Sequence, residues 1–284
     1  MAAVGLVGLG LLGSAVATRL RAAGCPVIGY DVVPERNRAL EAVGGHAVAS
    51  AAAVAEVADP ICVVLPSLSA VEDVVRGLAI SARGRTVVQM STISPALTER
   101  LARECAERDV GFLDCPISGT SGMVARGDGI IFVGGDRAVY ARWRPLLETI
   151  LPRAVHVGVA GQAMVLKLVA NLLVALHSAA AAEALAMVER AGLDVTQALE
   201  LLAASAATSR MLEVRGPLIV KRDFPAQMKL DLFMKDLHLI QDAARALETP
   251  LPLTDVAERL YAAAQTAGHG GEDLAVVVTA LARR

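Results

Sequence analysis

The chain has 284 residues, of which 55% are apolar, 20% charged and 3% aromatic, and its formal net charge is −2. This length suits one large or two ordinary domains, and the apolar fraction excludes a disordered chain because there is ample surface to bury. The chain has no basic block and few aromatic residues, so it lacks what nucleic-acid binding requires, and no nucleic-acid partner is expected.

The first half of the chain alternates short apolar runs with helical patterns. The predicted strands are 3–7, 26–30, 61–65, 86–90 and 111–113. A helix is predicted over 12–23, with Gly24 placed to end it. Ser94 and Pro95 begin a later helix, because serine caps helices and proline suits their first position. Such alternation predicts a doubly wound α/β sheet.

After about residue 158 the alternation stops and helical patterns follow one another. Residues 161–191 form one long helix, rich in alanine and leucine, that Gly192 closes. The pair Asp194 and Gln197 resembles a capping box for the next helix. Two further motifs, Gly216-Pro217 and Pro250-Leu251-Pro252, predict breaks between the later helices. An all-helical second half is therefore expected.

These patterns divide the chain into an α/β domain, residues 1–160, and an all-α C-terminal domain, residues 161–284, joined by the long helix.

The mean hydropathy of +0.52 is high, but the stretch 163–188 contains Lys167 and other polar residues, whereas a membrane span needs about 20 nearly uncharged residues. Four cysteines stand far apart, as in a reduced protein: Cys25, Cys62, Cys105 and Cys115. No membrane partner and a cytoplasmic location are therefore expected.

A glycine motif follows the first predicted strand. It consists of Gly8, Leu9, Gly10, Leu11, Leu12 and Gly13. In a G-x-G-x-x-G motif the first glycine permits a tight turn, the second lets a pyrophosphate approach, and the third lets helix and strand pack closely. Asp31, at the end of the second strand, would accept the ribose hydroxyls of NAD and repel the 2′-phosphate of NADP. Arg36 nearby weakens that preference, but NAD is favoured over NADP.

Lysine is rare in this chain, with four copies against 23 arginines. Unlike arginine, lysine can lose its proton when it is desolvated, so Lys167, in an apolar stretch, is the first candidate for a proton-transferring group. Asn171 stands four residues later and shares its helix face. The two side chains could both reach a substrate hydroxyl, although a lysine snorkelling from an apolar helix fits the local pattern equally well.

A loop rich in hydrogen-bond donors follows the strand at 111–113. Its residues Ser118, Gly119 and Thr120 could supply N–H and hydroxyl groups to a carboxylate, although the same residues also suit a plain turn. The five histidines show no metal-ligand spacing, so no metal is expected.

Together these motifs resemble the β-hydroxyacid dehydrogenases, the group of 3-hydroxyisobutyrate dehydrogenase and tartronate semialdehyde reductase. The resemblance covers essentially the whole chain. Besides the glycine motif and the donor-rich loop, matching positions are Leu65-Pro66, Ser91-Thr92, Asp114-x-Pro116, Gly161 through Lys167 to Asn171, Lys235-Asp236-Leu237 and Gly271-x-Asp273. Several ordered motifs at matching intervals are far more specific than any one of them.

The resemblance implies a Rossmann domain followed by an all-α domain and the reversible, NAD-linked oxidation of a small β-hydroxy acid. Lys167 would be the general acid and base, and Asn171 would orient the substrate hydroxyl. The donor-rich loop would hold the substrate carboxylate. The cofactor would be held by the glycine motif, Asp31, Leu65, Pro66, Thr92 and Lys235. A homodimer or homotetramer is also expected.

The chain departs from the family pattern in several places. Thr120 stands where a second glycine is usual, Leu12 where methionine is usual, and Ala163 and Ala170 replace a glycine and an asparagine. Three alternatives stay open: a non-catalytic NAD-binding protein, an imine reductase, and a dehydrogenase of another alcohol such as a sugar acid or a β-hydroxy amino acid. Lys167 argues against the first two.

Overall fold

A computed structural model describes residues 3–281 of the chain, which divide into two compact units, one ending at Lys167 and one beginning at Leu168. The strands of the first unit are β1 (Val4–Val7), β2 (Val27–Tyr30), β3 (His46–Ala47), β4 (Ile61–Val63), β5 (Thr86–Gln89), β6 (Gly111–Asp114), β7 (Ile117–Ser118), β8 (Ile130–Gly135) and β9 (Ala154–Gly158). Its helices are α1 (Leu11–Ala22), α2 (Pro34–Ala42), α3 (Ala51–Val57), α4 (Leu68–Ser81), α5 (Pro95–Ala106), α6 (Ser121–Ala125) and α7 (Arg137–Ile150).

The sheet of the first unit has the strand order of a Rossmann fold. Strands β3, β2, β1, β4, β5 and β6 lie side by side in that order, and all of them run parallel. Strand β8 then pairs antiparallel with β6 and β7 and parallel with β9. The order reverses between β1 and β4, and in open α/β sheets ligands bind at such a switch point, beyond the carboxyl ends of the strands. The predicted doubly wound sheet is confirmed.

Local signals explain where the helices of this unit begin and end. The Ser94 hydroxyl accepts the N–H of Leu97 and Pro95 is the first residue of α5, as predicted. Gly24 has a left-handed backbone, with φ of 77°, and its N–H donates to the Arg21 carbonyl, so α1 ends there.

The second unit is helical, as predicted. The long helix α8 (Gln162–Arg190) begins in the first unit and continues into the second. The helices after it are α9 (Val195–Ala203), α10 (Arg210–Lys221), α11 (Leu230–Ala246) and α12 (Pro252–Ala264), followed by a π-helical turn (Gln265–His269) and a 3-10 helix (Leu274–Leu281). Asp194 accepts the Gln197 N–H and so caps α9, and Pro252 begins α12.

One predicted break is wrong. Gly216 and Pro217 lie inside α10, which continues from Arg210 to Lys221. A Cβ on Gly216 would come within 2.5 Å of the Leu199 side chain, so the glycine lets α9 and α10 approach closely. The motif that suggested a turn is therefore a packing contact inside a helix, which tertiary packing stabilises despite the proline.

Burial in the first unit follows the sheet. Both faces of the parallel strands are covered, and all four residues of β1 are buried. The four cysteines are free thiols and all are buried. By length and composition alone α8 is long enough and apolar enough to cross a membrane, but the core helix of a soluble protein meets the same criterion, so this is weak evidence.

Candidate functional site

The glycine motif forms the turn between β1 and α1, and its three glycines occupy different surroundings. Gly8 has φ of 95°, and a Cβ there would lie 2.0 Å from the Val64 carbonyl oxygen. A Cβ on Gly13 would lie 2.1 Å from the carbonyl oxygen of Gly8. By contrast, a Cβ on Gly10 would meet nothing within 4 Å. The turn thus packs tightly at its two ends and leaves open space at its centre, beside the N–H groups that begin α1.

Asp31 ties this turn to the end of β2. Its carboxylate accepts the Leu9 N–H at 2.7 Å and the Val33 N–H at 2.9 Å, and it lies 3.2 Å from the Arg36 guanidinium. The carboxylate is buried, whereas the Arg36 side chain is 47% exposed. A negative charge is therefore fixed at the carboxyl end of β2, next to a cation that solvent reaches.

Leu65, Pro66 and Thr92 follow the carboxyl ends of β4 and β5, next to the switch point of the sheet. Leu65 and Thr92 are half-buried and Pro66 is exposed. The parallel sheet therefore brings the predicted cofactor-binding residues of this unit to the same edge.

Ser91 joins the two segments that carry these residues, a role that the sequence did not reveal. Its hydroxyl oxygen accepts the Leu65 N–H at 2.8 Å, and its own hydrogen points to the Val63 carbonyl at 3.4 Å. The fully buried amide of Gln89 in turn binds both the N–H and the carbonyl of Ser91. The Ser91-Thr92 motif was the available signal, but only the fold shows that its first member holds the strand ends together.

The predicted carboxylate-binding residues connect β7 to α6. Ser118 ends β7, opposite Ile130 of β8, and Gly119 follows it. Thr120 is the N-cap of α6, where its hydroxyl oxygen accepts the Met123 N–H at 3.2 Å. The threonine in place of a glycine thus has a structural role, since it fixes the end of this loop.

Asp114, at the end of β6, contacts the beginning of α8. One carboxylate oxygen accepts the N–H groups of Gly161 at 3.1 Å and Met164 at 3.0 Å, and the side chain is fully buried. Burial raises the pKa of Asp114 to about 7, although both hydrogen bonds favour its charged form. Lys167 lies one turn further along α8 and is only 5% exposed.

In the second unit, Asn171 and Lys235 both lie beside Asp236. The Asn171 amide donates to Oδ2 of Asp236 at 2.8 Å, and Lys235 Nζ lies 2.9 Å from Oδ1. Asn171 and Asp236 are 3% and 4% exposed. Asp236 stands in the Lys-Asp-Leu motif, in which only the lysine was predicted to have a role. In the described residues 3–281, no cluster of three or more His, Cys, Asp or Glu could hold a metal ion.

Comparisons with known proteins agree along the whole chain. Residues 3–158 match the family described as the NAD binding domain of 6-phosphogluconate dehydrogenase, and residues 160–281 match the NAD-binding family of NADP-dependent 3-hydroxyisobutyrate dehydrogenase. L-threonate dehydrogenase from Cupriavidus necator is 34% identical over 97% of this chain and 94% of its own length. The 2-hydroxy-3-oxopropionate reductase of Escherichia coli is also 34% identical, over 98% of this chain and 96% of its own.

A solved structure gives the same result. The 3-hydroxyisobutyrate dehydrogenase of Salmonella typhimurium superposes with a TM-score of 0.91 at 32% identity, covering 98% of this chain and 99% of its own. The Rossmann strand order, the glycine turn and these full-length similarities lead to one conclusion. The chain belongs to the β-hydroxyacid dehydrogenase family of NAD(P)-dependent oxidoreductases.

Proposed function

We propose that the chain catalyses the reversible, NAD-linked oxidation of a small β-hydroxy acid, similar to 3-hydroxyisobutyrate, to its semialdehyde or keto acid, in the cytoplasm. The observation that carries the proposal is Lys167, a buried amine on α8 with Asn171 one turn further on. The names of the relatives support the substrate class, since they act on hydroxy acids or their oxidised forms.

The residues present fit a nicotinamide dinucleotide. The open space at Gly10 lies beside the N–H groups of α1, and such groups bind phosphate at helix N-termini. We assign cofactor binding to this turn, from Gly8 to Gly13, and also to Asp31, Leu65, Pro66, Thr92 and Lys235. The buried charge of Asp31 favours ribose hydroxyls over a 2′-phosphate, hence NAD over NADP. When bound, the nicotinamide supplies the hydride chemistry.

The chain itself supplies acid–base chemistry and orientation. Lys167 takes the proton from the substrate hydroxyl during oxidation and returns it during reduction. An amine placed within reach of the substrate hydroxyl can take up and return its proton. Asn171 orients the hydroxyl, and its hydrogen bond to Asp236 fixes the amide.

We assign the substrate carboxylate to Ser118, Gly119 and Thr120, whose hydroxyl and N–H groups are hydrogen-bond donors. Thr120 also caps α6, which fixes the end of this loop. A sugar acid is the second candidate substrate, because one relative is an L-threonate dehydrogenase. A panel of 3-hydroxyisobutyrate, glycerate, 3-hydroxypropionate, L-serine and L-threonate, assayed with NAD and NADP in parallel, would rank these substrates.

The test of the mechanism is Lys167→Ala. Loss of the acid–base group should lower kcat by about 10²- to 10⁴-fold, while the dissociation constant for NAD, measured by fluorescence titration, stays nearly unchanged. Lys221→Ala is the matched control, since Lys221 is an exposed lysine in the last turn of α10. Turnover retained by Lys167→Ala would remove Lys167 from the proposed role. NAD binding with no turnover on any hydroxy acid would favour a non-catalytic protein.

A further inference from the structure

The long helix α8 has no capping side chain at the position before it, although the Gln162 N–H donates to the Val159 carbonyl at 3.2 Å. Its first residue, Gln162, follows Gly161, which has no side chain and a left-handed backbone with φ of 94°. Most other helices of the first unit begin after a serine, threonine or aspartate whose side chain accepts an N–H of the first turn. The N–H groups that begin a helix need partners from elsewhere.

Asp114 supplies an acceptor for two of the N–H groups at this helix start from a distant part of the chain. Its Oδ2 accepts the Gly161 and Met164 N–H groups, which lie 47 and 50 residues away in the sequence. A single oxygen therefore caps the first turn of α8. Asp114 is also the last residue of β6, four residues before Ser118, so the same side chain links the segment that leads to Ser118 with the start of that helix.

The environment of Asp114 is costly for a carboxyl group. The side chain is fully buried, and its second oxygen, Oδ1, has no hydrogen-bond partner among the described residues. A buried polar atom without a partner destabilises the fold. The Asp114 carboxyl group thus destabilises the fold through Oδ1, although it orders the start of α8 through Oδ2. A contribution to stability alone therefore does not explain why an aspartate occupies this position.

The cap lies close in the sequence to the proposed acid–base group. Lys167 follows Met164 by three residues, so the two lie on neighbouring positions of one helix face. A shift of the first turn therefore moves Lys167 directly. Misplacement of a reacting group by about 1 Å can lower a rate by roughly 10²-fold.

We propose that Asp114 is a positioning residue for the reaction: by capping α8 it holds Lys167 in register with the loop of Ser118, Gly119 and Thr120. The inference rests on the proposed function, because it assigns those residues their roles. It needs an acceptor oxygen at one place and does not need the negative charge.

Three substitutions test this inference. Asp114→Ala removes the acceptor and should lower kcat, counted per NAD-binding site, by about 10- to 100-fold. Asp114→Asn keeps an acceptor oxygen in the same place without the charge, and its kcat should stay close to that of the unsubstituted protein. Asp114→Glu keeps a carboxyl group but is one methylene longer, so its kcat should fall as in the alanine variant. The dissociation constant for NAD should hardly change in any of them.

Asp136→Ala is the matched control. Asp136 caps α7 in the same way, by accepting the N–H groups of Ala138 and Val139 at 2.8 and 2.9 Å. Asp136→Ala also removes two hydrogen bonds from a helix start, but at an exposed helix end, and it should leave kcat unchanged. Hydrogen exchange adds a readout independent of activity: amide exchange over residues 161–165 should be faster in Asp114→Ala and normal in Asp114→Asn.

Several results would overturn the inference: wild-type kcat in Asp114→Ala, a loss in Asp114→Asn as large as in Asp114→Ala, or an equal loss in Asp136→Ala. If Asp114→Ala does not fold, the asparagine and glutamate variants decide the question. Failure of the proposed function has a different signature, because the unsubstituted protein would then show no turnover. Unchanged amide exchange in Asp114→Ala overturns the cap whatever the activity.

Discussion

At the scale of single residues, the first unit contains two buried carboxylates in opposite situations. Asp31 accepts two N–H groups, one on each oxygen, and has an arginine beside it. Asp114 uses one oxygen for both of its N–H partners and has no partner for the other. The first arrangement gives each oxygen of Asp31 a partner at the proposed cofactor site, whereas burial raises the pKa of Asp114 and makes its charge costly.

The charge of Asp31 should decide between NAD and NADP. In Asp31→Ala the repulsion of a 2′-phosphate disappears and Arg36 loses its partner, so kcat/KM should fall more for NAD than for NADP. Adding Arg36→Ala to that variant should reverse the relative shift toward NADP, because the Arg36 guanidinium is the nearby partner for a 2′-phosphate. The ratio of the two kcat/KM values is the measurement, since it cancels any general loss from the missing Leu9 contact. An unchanged ratio would mean that another residue selects the cofactor.

The raised pKa of Asp114 makes folding stability depend on pH. The folded protein holds this proton up to about pH 7, whereas the unfolded chain releases it near pH 3.8. The stability contributed by the protonated group is therefore complete below about pH 4 and is lost as pH rises to 7, by up to roughly 1.4 kcal/mol per pH unit.

The thiols of Cys62 and Cys115 stay neutral over this pH range, because burial raises the pKa of both.

Asp114→Asn isolates this effect, because an amide does not titrate. The free energy of unfolding of the variant, minus that of the unsubstituted protein, should increase from pH 4 to pH 7 and level off above it. Urea unfolding at several pH values measures the difference. A constant difference across this range would mean that Asp114 keeps an ordinary pKa in the folded protein.

At the scale of secondary-structure elements, different glycines of the turn from β1 to α1 should affect NAD binding and folding stability. Gly10→Ala should leave Tm unchanged, because the new Cβ meets no atom and φ is an ordinary −67°. It should weaken NAD binding by about tenfold or more, since the Cβ occupies the space through which a pyrophosphate approaches. Gly13→Ala should instead destabilise the fold by roughly 1–3 kcal/mol, because its Cβ collides with a backbone oxygen.

Thermal unfolding and NAD titration of both variants check this pair. Equal losses of Tm would show that the open space at Gly10 closes in solution, and full NAD affinity in Gly10→Ala would place the cofactor elsewhere.

The sequence predicted these elements well, because hydrophobic periodicity and caps are local. The five predicted strands lie within two residues of their predicted ends, and Ser94, Asp194 and Pro252 mark helix starts as expected. Strands β3, β7, β8 and β9 were not predicted. The interactions that position the candidate site were not predicted. They join residues that are far apart in the chain: Leu65 with Ser91, Asn171 with Asp236, and Asp114 with the start of α8. Each needs the tertiary fold before its partner can be recognised.

At the scale of the whole molecule, the second unit exposes large apolar side chains on α8, on α9 and in the turn between them. Examples are Leu173, Met187, Leu193 and Leu201. Exposed apolar side chains in such numbers favour burial against another protein surface. We therefore expect a homodimer or homotetramer, and light scattering should give a mass that is two or four times 29.4 kDa. Met187→Glu should reduce that mass, and a monomer at micromolar concentration would contradict the expectation.

The edges of the sheet limit how copies of the chain can meet. Strand β3, at one edge, has only two residues, and β9, at the other side of β8, pairs with an interrupted register at Val133 and Gly134. Short and irregular edge strands are poor templates for an additional strand from another molecule. Edge-to-edge aggregation of the folded protein is therefore disfavoured.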